Sequence, residues 1–418
     1  MPGVVFPDNA VAIVGVACRL PGGINSMDQL WTALVDGRDL VTSVPADRFD
    51  TTQVADTRGP RPGKTYTTAG GFLDDVSGFD SEYFDVISPR EASRMDPQQR
   101  LLLEMVVEAC DDAGIDPGSL AGSPTAVFVG ASSHDYGDLQ SADPRSVDSH
   151  TMTGIALANT ANRLSHVFDL HGPSIATDTA CSSGLTAVHQ ACEHLRSART
   201  SGAMALAGGI NVILNPYQYV GFSAASMLSP TGRSRPFSAD ADGFVRSEGG
   251  GVVLLKRLSD AVSAGDRIHA VILATGAGSD GRTAGLSLPS AAAQEALLRQ
   301  VYTDAGVNPD DVAYLEAHGT GTPAGDPVES KAIGRALGQL RRSRLPVGSV
   351  KSNLGHLEAG SGLAGLLEAV LVLRHRTIPP LIHADTLNPA IDFDGLGLEP
   401  ITSVRELTGP DSCVVGVN

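Results

Sequence analysis

Apolar positions along this chain keep changing their spacing, and the changes mark out its elements. Short runs that are apolar, or built of Ala and Gly among apolar residues, predict buried strands at residues 11–18, 126–130, 203–213, 252–256, 269–275, 312–316 and 346–350. Between them, apolar residues recur at helical spacing over 26–34, 88–114, 154–168, 185–195, 290–306, 326–340 and 358–373. Strand and helix alternate from end to end, which argues for an α/β layered fold. Two stretches, 174–195 and 346–373, share one grammar: a strand, a reactive residue, a glycine, then a helix of small and apolar residues. The echo predicts a duplication, two βα halves packed face to face. The boundary is expected in 260–266, giving an N-terminal half, 1–262, and a C-terminal half, 263–418.

The first echo puts Cys181 where a strand turns into a helix. Ala180, Ser182, Ser183 and Gly184 surround it with small side chains, so backbone packs tightly and a substrate can approach. A helix N-terminus carries partial positive charge and unpaired N–H groups, which favour a thiolate and can cradle an oxyanion. Cys181 is therefore a candidate nucleophile. His318 and His356 each follow a strand within a Gly-rich turn, and Lys351 precedes His356 by five residues. A thiol with two imidazoles and a cation suits acyl transfer.

Composition narrows the rest. The 30 basic and 47 acidic residues leave a net charge of −17, which argues against nucleic acid and anionic membrane as partners. No run of about 18 apolar residues could span a bilayer. Five scattered cysteines (Cys18, Cys110, Cys181, Cys192 and Cys413) suit a reducing, cytoplasmic setting without a disulfide framework. No CxxC pair occurs, and His189 and His194 point to different helix faces, so no metal is expected. Gly276, Gly278 and Gly281 fit GxGxxG, but the following RTAGLSLPS opens no helix, which rejects a dinucleotide site. The Gly409-Pro410-Asp411-Ser412 segment looks like a carrier-protein attachment site without the helices that would surround one. The loop 229–251, with Arg233, Arg235, Asp240, Asp242, Arg246 and Glu248, is long enough to be functional.

The segments DTACSS around Cys181, EAHGTGTPAGDPVE around His318 and KSNLGHLEAGSG around His356 resemble the three catalytic motifs of β-ketoacyl synthases. More narrowly, they resemble the ketosynthase domains of type I polyketide synthases. VAIVGVACRLPGG, DPQQRLLLE and GRSRPFSADADGFVRSEGGGVVLLKRL fit the same family, so the resemblance runs from about residue 11 to residue 418. It implies a thiolase-like fold of five layers, α/β/α/β/α, in a homodimer. It also implies that Cys181 takes an acyl group from carrier-protein phosphopantetheine. His318 and His356 would promote decarboxylation of a malonyl-type thioester and stabilise its enolate. Lys351 would orient the site electrostatically, and Thr320 and Thr322 would bind the pantetheine arm. The backbone N–H of Cys181 would be one oxyanion donor. No intrinsic cofactor is implied; the partners implied are an acyl carrier protein and other synthase domains, with an acyltransferase adjacent.

One departure sets a second expectation. The family places a Gly-rich segment with the second oxyanion N–H after the last motif, and this sequence stops at Asn418 where that segment should begin. The alternative is thus a catalytically impaired structural or docking fragment of a synthase. A degradative thiolase fits less well, because it would lack both the HGTGT segment and Lys351. Carrier proteins are acidic, and Arg341, Arg342 and Arg344 are the candidate patch to meet one.

Overall fold

A strand that is apolar at every position has no polar face to give to water, so it is driven to the middle of a layered structure. In the computed structural model, which describes residues 6–7, 9–197, 202–407 and 413–418, β1 (Val11–Arg19) is such a strand, buried from Val11 to Cys18. Residues 409–412, the apparent attachment site, lie outside the described residues. The elements that build the layers follow in order. They are α1 (Pro97–Asp112), β2 (Ala126–Gly130), α2 (Asn159–Val167), β3 (Ser174–Thr177), α3 (Ser183–Ser197), β4 (Met204–Asn211), β5 (Gly249–Arg257) and β6 (Ala270–Ile272). Then come α4 (Ala291–Asp304), β7 (Val312–Glu316), α5 (Gly325–Ala336), β8 (Leu345–Gly348), α6 (Ser361–His375), β9 (Leu398–Pro400) and β10 (Val414–Val417).

The first sheet has the order β3-β2-β4-β5-β1-β6 and the second β9-β8-β7-β10. The duplication shows in the strand directions. β2 lies parallel between β3 and β4, and β7 lies parallel between β8 and β10. β6, beyond the expected boundary at 262, pairs antiparallel with β1 through Val11 and Ile272, so a strand from the later stretch closes the edge of the first sheet.

Three helical layers enclose the two sheets. Leu102 and Val106 of α1 pack with Val14 and Leu254 on the outer face of the first sheet. Val188 and Cys192 of α3, with Leu363 and Leu367 of α6, cover its inner face against Val253. Leu298 of α4 and Ile333 of α5 cover the second sheet at Val312 and Leu315. The fold is the five-layered α/β/α/β/α arrangement. Two helices differ from their expected form. The helix expected over 154–168 is split into Thr151–Ile155 and Asn159–Val167. The helix expected over 88–114 is broken, because Asp96 caps a new helix by accepting the Gln98 N–H while Pro97 takes the first turn.

The central helices meet at their N-terminal ends through glycine. A Cβ on Gly184 would lie 2.6 Å from Leu363 Cδ2 and 2.8 Å from the Ala359 carbonyl oxygen. A Cβ on Gly362 would lie 2.6 Å from Leu185 Cγ and 2.9 Å from the Leu185 backbone nitrogen. Each helix thus presents a glycine to the other's leucine. Gly362→Ala should cost about 1–3 kcal/mol by overpacking this contact. The measurement is a lower urea midpoint at unchanged m-value. Gly221→Ala, at an exposed position of the helix Tyr217–Ala224 with nothing within 4 Å of the new Cβ, is the control and should be neutral or stabilising.

Candidate active site

The turn that carries Cys181 is built by its neighbours. Between β3 and α3 the chain makes a tight turn over Ala180–Ser182, with Ala180 left-handed at φ 56°. The Ala180 N–H donates to Asp178 Oδ1 at 2.9 Å. Ser183 Oγ accepts the Thr179 N–H at 2.9 Å and donates to the Ala180 carbonyl at 2.7 Å. Gly130 on β2 lets α3 start this close to the sheet, since a Cβ there would lie 2.3 Å from the Ser183 carbonyl carbon. The expected thiolate is not what this environment favours. Burial first and the Glu358 carboxylate second push the Cys181 thiol up to about 11, while Lys351 pulls the other way. Loss of hydration outweighs the helix end, so the resting group is a thiol.

His318 stands at the end of β7, on a loop whose backbone is fixed by carboxylates. Glu329 of α5 accepts the His318 N–H at 2.7 Å and the Gly319 N–H at 2.8 Å, and the Asn418 amide at 2.6 Å. Asp326 accepts the N–H groups of Phe237, Gly321 and Thr322 at 2.8, 3.2 and 3.3 Å. Gly321 at φ 77° lets this loop pass the backbone of Arg235, 2.4 Å from where a Cβ would stand. Burial first, then the Lys351 charge, lowers the His318 imidazole to about 3, so it is neutral at physiological pH.

His356 is buried, 2% exposed, after a turn at Gly355 with φ 77°. Its backbone is paired on both sides, its N–H to the Val245 carbonyl at 2.7 Å and its carbonyl to the Ser247 N–H at 2.8 Å. The Glu358 N–H donates to His356 Nδ1 at 3.1 Å. A backbone N–H can only donate, so Nδ1 is unprotonated and the proton of the neutral ring sits on Nε2. Ser361 Oγ, 2.7 Å from Nδ1, donates to the same atom. Burial, then His318 and Lys351, holds this imidazole well below its ordinary range. Glu358 reaches this position through a left-handed backbone, φ 50°, and its carboxylate is gripped by the fork of Arg246. Arg246 is itself completely buried, its guanidinium 5.0 Å from the Tyr219 ring centre.

These turns converge. A cavity of about 310 Å³ is lined by Cys181, His318, Lys351, Glu316, Ser361 and Asn418, among others. The His356 ring stands edge-on to His318, with centroids 5.4 Å apart, and its other neighbour is Phe244 at 5.3 Å. Lys351 is buried; burial lowers the pKa of its ammonium, and the Glu316 and Glu329 carboxylates act in the opposite sense. Thr320 and Thr322 are not part of the cavity lining; their hydroxyls face each other 3.2 Å apart on the loop beyond His318. The three arginines of the expected patch are placed differently. Arg341 is half-buried, donating to the carbonyls of Pro309 and Val312, while Arg342 and Arg344 pair with Asp310 and Asp394. Sequence reasoning missed Glu316, Glu329, Glu358 and Ser361 as parts of the site. Glu329 was within reach, since it closes the EAHGTGTPAGDPVE segment around His318, one turn into the helix that begins at Gly325.

Family models described as "Beta-ketoacyl synthase, N-terminal domain" and "Beta-ketoacyl synthase, C-terminal domain" match residues 8–261 and 269–385. The chain is 47% identical over 401 residues to a phenolphthiocerol/phthiocerol polyketide synthase subunit of Mycobacterium tuberculosis, covering 96% of this chain and 21% of that protein. It is 47% identical over 403 residues to the hybrid PKS-NRPS synthetase thnA of Trichoderma harzianum, covering 94% of this chain and 10% of that one. The chain therefore spans about a fifth or less of these two relatives. Among solved structures, the oxazolomycin ketosynthase domain OzmH KS7 of Streptomyces albus superposes with a TM-score of 0.90 at 41% identity, over 96% of this chain and 71% of that one. The ketosynthase from module 6 of the bacillaene synthase of Bacillus subtilis superposes at 0.87 and 35% identity, over 96% and 68%. With a thiol, a cation and two neutral imidazoles gathered on the matched fold, the chain belongs to the β-ketoacyl synthase family, as a ketosynthase of the polyketide synthase kind.

Proposed function

We propose that this domain joins an acyl group held on Cys181 to a malonyl-type thioester carried on the phosphopantetheine of an acyl carrier protein, with loss of CO2. The observation that carries the reading is one cavity lined by Cys181, His318 and Lys351, with the His356 ring directly behind His318. In the first step the sulfur of Cys181 attacks the acyl thioester carbon, and its proton leaves with the pantetheine thiol. The C–S bond to the carrier breaks as the bond to Cys181 forms. In the second step the bond between the malonyl carbon and its carboxylate breaks, CO2 departs, and the electron pair moves to the thioester oxygen as an enolate. A neutral imidazole with its proton on Nε2, as at His356, is a donor suited to that oxygen. The carbanion then attacks the acyl carbon, and Cys181 leaves as a thiolate that Lys351 attracts and a proton restores.

Three further assignments belong to this reading. Thr320 and Thr322 hydrogen-bond the pantetheine arm, supported by their place on the loop that carries His318. A second copy of the chain pairs along β3, supported by its position at the sheet edge and by Ile175, an exposed apolar residue on it. Other synthase domains are its neighbours, as the greater length of its relatives supports, and the family resemblance adds an acyltransferase among them. The reading takes the protein as cytoplasmic and without a resident cofactor; among the described residues no helix is long and apolar enough to cross a membrane.

Incubation with a small acyl thioester should give one covalent adduct per chain by intact mass, and Cys181→Ala should abolish it. His318→Ala and His356→Ala should keep the adduct but lose at least about 100-fold in malonyl-thioester decarboxylation. No adduct, or an adduct on another residue, overturns the reading in favour of a non-catalytic domain. The histidines also set a pH expectation. The His318 ring signals should not titrate by NMR between about pH 7.5 and about pH 5, whereas an ordinary histidine passes its midpoint near 6.5. In that window the unfolded chain binds a proton the native chain refuses. His318 therefore lowers stability as pH falls below about 6.5, and His318→Gln should flatten that part of the stability profile.

A further inference from the structure

Behind the cavity lies a string of three buried side chains that the condensation does not use. Tyr314 and Glu316 point from the same face of β7 toward α6, and Glu368 meets them from that helix. Tyr314, Glu316 and Glu368 are at most 2% exposed. Glu316 lines the cavity, and Gly365 of α6 passes it so closely that a Cβ there would lie 3.1 Å from Glu316 Cγ.

The proton count in this string is fixed by geometry. Tyr314 Oη lies 2.8 Å from Glu316 Oε2 and 3.1 Å from Glu368 Oε1. A phenol has one proton and can donate to one of the two. If both glutamates were ionised, the other contact would set two lone-pair oxygens against each other. One carboxyl therefore holds a proton. Glu316 already receives the Val350 N–H on Oε1 at 2.8 Å and has Lys351 as its nearest cation. Glu368 receives nothing on Oε2, which is buried without a partner. Burial raises both carboxyls, Glu316 to about 7 against the pull of Lys351 and Glu368 well above its ordinary range, so of the two the charge is better tolerated at Glu316. The proton then sits on Glu368 Oε1 and donates to Tyr314 Oη, while Tyr314 donates to Glu316.

We infer that Glu368 is a neutral acid which, through Tyr314, keeps Glu316 as the only anion of the string, and that this reserve proton sets the charge that Lys351 presents to a carboxylate-bearing substrate. Every group facing the string bears on it. Lys351 is the cation; Glu329 is the other carboxylate nearby, its charge taken up by the His318 and Gly319 N–H groups and the Asn418 amide. His318 is neutral and Cys181 lies across the cavity. The flanking strands β8 and β10 bring no charged side chain. A third carboxylate at Glu368 would have no cation of its own. Losing the reserve proton in alkali therefore adds a further negative charge near Lys351 and weakens the site for an anionic thioester. Glu316, Tyr314 and Glu368 are positioning residues in this account, and the substrate clause rests on the function proposed above.

Two measurements on the whole chain test it. Infrared difference spectra of wild type against Glu368→Gln at neutral pH should show one protonated-carboxyl band that the substitution removes. Tyr314→Phe, which takes away the bridging hydroxyl, should shift that band. Absence of a band that depends on residue 368 overturns the inference whatever the enzyme does. The second measurement is the KM for a malonyl-type thioester. It should rise about tenfold from pH 7 to pH 9 in wild type, the size of a one-unit electrostatic change, and less than about twofold in Glu368→Gln, which cannot ionise. An equal rise in both proteins overturns the link to substrate. A wild type with no decarboxylation at any pH would sink the functional reading, and the infrared result would still decide where the proton is.

Discussion

The site depends on how closely two helix ends can approach. α3 begins two residues after Cys181, and α6 begins five residues after His356. Were either helix to start with ordinary side chains at the contact, the axes would move apart by the thickness of a methyl group or more. The turns carrying the thiol and the imidazole would separate with them. Gly184 against Ala359 and Leu363, and Gly362 against Leu185, remove that thickness on both sides. The sheet beneath does the same, since a Cβ on Gly209 of β4 would lie 2.8 Å from the Ala359 carbonyl. The reactive residues are thus held by rigid elements rather than by a flexible loop, which is what a reaction between two bound carbon centres requires.

Close packing has an electrostatic consequence. A thiol, a lysine and two histidines have been taken out of water, and each buried polar group needs a partner. The fold supplies backbone N–H groups for many of the anions. Glu329 and Asp326 absorb five such donors from the loop around His318 and Phe237, and Glu358 turns its own N–H onto His356 while Arg246 takes its carboxylate. Arg246 in turn has Tyr219 and Phe222 beside its guanidinium. This arrangement fixes orientation more than it adds stability, because a buried ion pair roughly repays its own desolvation.

Much of this was legible in the chain itself. The strand-turn-helix around Cys181 could be read from spacing and small residues, and so could the Gly-rich turns at His318 and His356. The stretch after Gly276 opens no helix until Ala291, as RTAGLSLPS suggested. What could not be read shares one cause. Arg246 and Glu358 are 112 residues apart, and their pairing exists only once the long loop folds behind His356. Along the sequence each is a charged residue of the kind usually left in solvent. The same blindness to burial produced the thiolate expectation at Cys181. The helix end is visible in the sequence, but the desolvation that overrides it is a property of everything packed around the sulfur. Arg341 is the converse case: it looked like part of a surface run and is tied down by two carbonyl groups.

The neutral state of the two imidazoles follows from the same burial, and it suits the proposed chemistry better than a charged one. Decarboxylation generates an enolate and asks for hydrogen-bond donors, not for a proton delivered to carbon. An imidazolium would be an acid strong enough to quench the carbanion before it reached the acyl carbon. A neutral ring donates from Nε2 and has little tendency to give the proton up. Burial beside Lys351 makes protonation of either ring costly, so the positive charge of the site stays on Lys351, which the Glu316 and Glu329 carboxylates favour. One lysine and two neutral donors can therefore stabilise a carbanion equivalent long enough for carbon to bond to carbon in the proposed reaction.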